Sequence, residues 1–151
     1  MGRKNKYTDP KYTLSQDEAD RLAAELKNAV DSFFRMPAGG EQKARFHVRA
    51  DDGDDFSIHV FRGRIDPDRH IAAVVTRCHT PLLRLCVNGR PHTNPDGSKA
   101  GRTHWHVYKE GEDDWNAYPA DIDSPDFVND TILLLDKFNV IRKPAFQGEM
   151  L

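Results

Sequence analysis

From residue 19 the apolar side chains recur three and four positions apart, at Ala19, Leu22, Ala23, Leu26, Val30 and Phe33, until Met36-Pro37 and Gly39-Gly40 interrupt them. That spacing lines one face of an α-helix. Ser15-Gln16-Asp17-Glu18 has the form of a capping box, with Leu14 placed for a hydrophobic staple, so the pattern predicts a helix over residues 16–35. From residue 44 the period falls to two. Phe46, Val48 and Ala50 alternate with His47 and Arg49, Asp51-Asp52-Gly53-Asp54 supplies a turn, and Phe56, Ile58 and Val60 alternate with Ser57 and His59. This is the signature of a β-hairpin. Further strands are predicted over residues 71–77, 82–88 and 103–109, the second with Leu83, Leu85 and Val87 on one side and Arg84 and Cys86 on the other. Residues 89–101, rich in Pro, Asn, Gly and Asp, form a connection too long for a tight hairpin. Ser124-Pro125 then starts a second helix, whose face of Phe127, Thr131, Leu134, Leu135 and Phe138 ends near Asn139.

The order is therefore an N-terminal helix, about five mainly antiparallel strands, and a C-terminal helix, which predicts an α+β fold with both helices packed on one face of the sheet. At 151 residues and without repeats or linker-like stretches, the chain reads as a single domain over residues 1–151. Residues 1–13, carrying Lys4, Lys6 and Lys11 without periodicity, are expected to form a flexible basic arm.

Composition narrows the function classes. Hydrophobic residues are 38% and charged residues 30% of the chain, which is polar for a globular protein yet enough for a core. No apolar run approaches the ~18 residues of a membrane span. The opening MGRKNKYTDP lacks a signal-peptide core, so the expected compartment is the cytoplasm. Cys78 and Cys86 form no C-x-x-C pair and are read as reduced thiols. A net charge of -2 excludes a histone-like nucleic-acid coat. The anomaly is seven histidines, several of them crowded into one stretch.

Strand parity organises that stretch. In residues 103–110, Trp105 and Val107 suit the core, which puts His104, His106, Tyr108 and Glu110 on the opposite face. The same bookkeeping places His47, Arg49, Ser57, His59 and Arg84 away from Phe46, Ile58 and Leu85. A surface of imidazoles and guanidinium groups suits an anion such as a phosphodiester. In that role His92, His104, His106 and Tyr108 would supply acid and base, and Arg84 or Arg90 would stabilise the developing charge. The same His104-x-His106 spacing also suits a divalent metal, with Glu110, His92 or Asp96 completing the shell. H-x-H followed by three residues and a Glu resembles the first metal motif of cupins, but the preceding glycine spacing differs and no second cupin motif follows. Asn94-Pro95 and Asp96-Gly97 initiate turns and present His92 on a stiffened loop, with Asp96 expected to bond the turn backbone. Arg90, Asn94, Asp96, Glu110 and Trp115 are the binding candidates; Trp115 follows the acidic turn Glu110 to Asp114 as an aromatic anchor. Neither phosphate-loop pattern nor a G-x-S-x-G elbow is present.

The combination P-H-x-N-P-D-G at residues 91–97 with H-x-H-x-Y-x-E-G at residues 104–111, followed by Trp115 and Ala117-Tyr118-Pro119, resembles an uncharacterised family of small bacterial, phage and mobile-element proteins. The resemblance implies a setting among defence and counter-defence functions and no established activity. Three readings remain open. The leading one is an interaction protein, an inhibitor or modulator in phage and host conflict, that binds a protein or nucleoprotein partner and uses its histidines to hold the long loop. The second is a small His-based ribonuclease or nucleotide phosphodiesterase acting on RNA or a nucleotide. The third is a metal-dependent small-molecule enzyme. None involves a membrane.

Overall fold

A computed structural model describes residues 14–40, 44–66, 68–76, 80–111, 117–122 and 125–147. The basic arm, Cys78, His79, Trp115 and Ser124 lie outside the described residues. Among the described residues the chain forms helix α1 (Gln16–Ala24), strands β1 (Lys27–Ala29), β2 (Phe33–Arg35), β3 (Ala44–Ala50), β4 (Asp55–Arg62), β5 (His70–Thr76), β6 (Pro81–Val87), β7 (His92–Thr93), β8 (Lys99–Gly101), β9 (His104–Val107) and β10 (Ala117–Pro119), helix α2 (Phe127–Lys137), and strands β11 (Val140–Arg142) and β12 (Ala145–Gln147). The fold is α+β. Its main sheet has eight strands in the order β10-β9-β6-β5-β4-β3-β1-β11. Every pairing in it is antiparallel except that of β1 with β11. No helix of the described residues is long and apolar enough to cross a membrane.

The five strands expected from alternation form the middle of this sheet, as β3, β4, β5, β6 and β9. Their inward residues, among them Phe46, Val48, Ile58, Val74, Leu83 and Leu85, join Leu134, Leu135 and Phe138 of α2 and Ala19 and Leu22 of α1 in one cluster. Both helices thus cover the same face, as expected. Burying each large apolar side chain in such a cluster contributes about 1.5–3 kcal/mol.

The first helix is much shorter than the expected 16–35. Its start conforms: Ser15 Oγ accepts from the Glu18 amide at 3.1 Å. The second half of the capping box is replaced by an ion pair, because the Glu18 carboxylate turns to Arg21 at 2.5 Å. The helix ends after Ala24, where Glu25 takes extended backbone angles. Residues 27–29 and 33–35 become β1 and β2 instead. The cause is tertiary. Lys27 is fully buried, and its Nζ donates to the carbonyls of Ala23 (3.1 Å), Glu25 (2.8 Å) and Phe138 (2.7 Å). It lies 3.8 Å from the Phe138 ring centroid. The ammonium so satisfies carbonyls that both helix ends would otherwise leave unpaired. With Lys27 inward, Ala29 is also buried, whereas the helical-stripe residues Leu26, Val30 and Phe33 are more than half exposed.

At the other end, α2 is capped by Asp126, whose Oδ1 accepts from the Asn129 amide at 2.9 Å, so the helix begins later than Ser124-Pro125 suggested. The outer face of the sheet carries no helix of the described residues; over β6 and β9 it is covered by the β7–β8 hairpin.

Candidate functional site

Pairing of β6 with β9 sets Leu83 opposite Val107, Arg84 opposite His106, Leu85 opposite Trp105 and Cys86 opposite His104. Directly paired residues share a sheet face. Arg84, Cys86, His104 and His106 therefore point away from the helices, as parity required. In the same row His106 is followed by Arg84, Ala73, His59 and Arg45 across the sheet, so of the expected imidazole and guanidinium residues Arg84 and His59 share a line with His106.

Exposure differs from expectation. His104 and His106 are only 4% and 3% exposed, whereas Val107, assigned to the core, is 39% exposed. Trp105 is half-buried against the core cluster. The inversion follows from the place of β9 beside the edge strand β10 together with the loop of residues 89–101. That loop folds into its own hairpin and lays His92 on the two rings. The His104–His106, His92–His106 and His92–His104 ring centroids are 4.8, 5.1 and 5.5 Å apart. Cys86 completes the group: its sulfur and one ring nitrogen each of His104 and His106 lie within 4.8 Å of one another. Cys86 was read only as a thiol. Its parity with Arg84 was visible in the sequence, but its register opposite His104 needed the strand pairing.

His104 is held in one orientation. Its Nδ1 donates to the Gly101 carbonyl at 2.9 Å, which leaves Nε2 as the lone-pair nitrogen of the neutral ring. Burial pushes its pKa below the ordinary imidazole value; the Gly101 bond opposes this, and the charges of His92 and Arg84 add to it. Gly101 has a φ of 76°, a conformation that favours glycine.

Tyr108 and Glu110 do not join the histidines. The strand ends at Val107, and the Tyr108 hydroxyl donates to the Leu14 carbonyl (2.6 Å) while accepting from the Leu14 amide (3.0 Å). Burial raises the pKa of this phenol. Glu110 Oε1 accepts from the Gln16 amide at 2.7 Å, and Gln16 Oε1 accepts from the Glu110 amide at 2.9 Å. Both residues, proposed for acid and ligand roles, fasten the start of α1 instead.

The loop itself is tied at every level. Asn94 is bonded twice to Ala117, its Nδ2 donating to the carbonyl at 2.9 Å and its Oδ1 accepting the amide at 2.7 Å. Asp96 Oδ1 accepts from Ser98 N (2.9 Å) and Ser98 Oγ (2.6 Å), which lowers its pKa. Asp96 therefore bonds the turn, as expected. Arg102 clamps the base through the carbonyls of Gly89 (3.0 Å) and Asn88 (2.9 Å). Arg90 and the tip, Pro95 to Lys99, remain exposed.

Sequence reasoning missed one buried polar pair on the helix side. His70 of β5 meets Asp130 of α2 at 2.6 Å, both nearly inaccessible. Asp130 Oδ2 also accepts from the Asp126 amide at 3.1 Å. A histidine at a strand start and an aspartate in a helix carry no local signal of each other, being 60 positions apart.

A family model described as a family of unknown function (DUF6978) matches residues 14–140. No curated protein and no solved structure matches the chain.

Proposed function

The chain belongs to this family of unknown function, and from that premise we propose that it is an interaction module presenting the tip of its 89–101 loop to a protein or nucleoprotein partner. The carrying observation is that the conspicuous side chains are spent on holding the loop. His92, His104 and His106 pack together beneath it, Arg102 pins its base and Asn94 its tip side, and the unbroken run from Pro95 to Lys99 at the tip faces solvent, as does Arg90. A preorganised loop binds without a large ordering cost. Conserving rigidity in a long connection is also how recognition loops work on a stable scaffold. The burial of His104 and His106 favours this reading over phosphodiester cleavage, in which the acid and base must reach substrate. The family resemblance of the loop motif supports a role as an inhibitor or modulator in phage and host conflict.

The test is site-specific photo-crosslinking in cells from position 99 at the tip, with position 65, which is 98% exposed, as the control. A discrete adduct from 99 alone, abolished by Arg90→Glu with unchanged circular dichroism, is expected. No adduct, or the same adducts from both positions, would refute the proposal.

A further inference from the structure

The geometry points to a zinc-class metal site formed by Cys86, His104 and His106 of the sheet and closed by His92 of the hairpin. Three independent features carry it. Cys86 and His104 are direct cross-strand partners, and His106 lies two residues along the same face, so neighbouring strands aim three donors at one point. Their donor atoms already lie within 4.8 Å of one another; in a tetrahedral zinc site they would be about 3.5 Å apart, an inward movement of about an ångström. The third feature is orientation. A ligating imidazole commonly donates its far N–H to a backbone carbonyl, which fixes the ring and enriches the coordinating nitrogen. His104 does this through Gly101.

The donor set selects the ion. One thiolate with imidazoles suits zinc and its borderline neighbours and not magnesium or calcium, which take oxygen. The thiolate also offsets the positive charge of the ion beside Arg84, which shares this face. The rings of His104 and His106 are buried, and His92 of the loop, whose ring centroid lies 5.5 and 5.1 Å from theirs, would turn a nitrogen inward to fill the fourth position. Closed four-ligand sites are structural. The ion would staple the β7–β8 hairpin to the sheet, adding to the hydrogen bonds that already hold it. The other convergent group, Glu25 with Asp52 and Asp54, differs because Arg21 sits within it and pairs with all three carboxylates.

The full chain, expressed with a tag that binds no metal and purified without chelator, should carry about one zinc per chain by elemental analysis. After removal of the metal, cobalt(II) should give the intense visible bands of a tetrahedral ion and a sulfur-to-cobalt charge-transfer band. Cys86→Ser should abolish that band, and His104→Ala and His92→Ala should each weaken cobalt binding roughly tenfold or more. The wild-type cobalt spectrum needs no variant to fold. Metal-free protein whose cobalt spectrum is that of the free aqueous ion would overturn the site, as would full metal content and an unchanged spectrum in Cys86→Ser. Neither result touches the loop-tip proposal, which the crosslinking reads separately.

Discussion

Replacing Lys27 with methionine should make the pH dependence of stability change in a defined way. The Lys27 ammonium is fully buried, and that burial pushes its pKa down to about 8, opposed by the Glu25 charge. In the unfolded chain it titrates near 10.5. The unfolded state therefore binds more protons between these values, and stability must rise with pH across that window. At neutral pH the shift is a cost of about 3 kcal/mol. Between pH 7.5 and pH 9.5 about 2 kcal/mol of it is relieved. Glu25, pushed by burial and by Asp52 to about 7, has largely ionised by the start of that interval. Methionine keeps the stem but cannot donate, so three carbonyls lose their partner. Orphaned buried acceptors cost about 1–3 kcal/mol each, which the removed desolvation partly offsets. The variant should thus be less stable at pH 7.5, and the gap between wild type and variant should widen by about 2 kcal/mol by pH 9.5. Urea unfolding at the two pH values, with slopes compared to confirm two-state behaviour, measures it. A gap that stays constant or narrows would refute the reasoning, because the ammonium would then not be desolvated in the folded state.

Asp130→Ala removes the acceptor of His70 and of the Asp126 amide; leaving these two donors without it should cost about 2–4 kcal/mol, read as a lowered thermal midpoint, and a loss below ~1 kcal/mol would show the pair to be dispensable. Tyr108→Phe deletes the two hydrogen bonds to Leu14, at about 1–2 kcal/mol; amide exchange should quicken in α1 and stay slow in β3–β6, whereas uniform acceleration would mean that the phenol supports the whole core.

Much of the architecture follows from the sequence alone, because its physics is local. Alternation at Phe46, Val48, Phe56, Ile58 and Leu85 chose the central strands, and parity put His104, His106, Arg84 and Cys86 on one side of them. The stripe of Phe127, Leu134, Leu135 and Phe138 chose α2. Local pattern misled where a distant group supplied a stronger interaction. Residues 25–35 satisfy a helical stripe, yet Phe138 and Asn139 of the opposite end draw Lys27 inward and turn the segment into strands. Tyr108 and Glu110 have the parity of site residues, yet Leu14 and Gln16, 94 positions away, claim them. The side of the sheet on which a histidine lies is a matter of counting by two. Whether that side is open, and which cysteine stands beside it, depended on a loop folding back and on the register between β6 and β9. Those are long-range choices made by total burial and hydrogen bonding, and only the tertiary structure decides them.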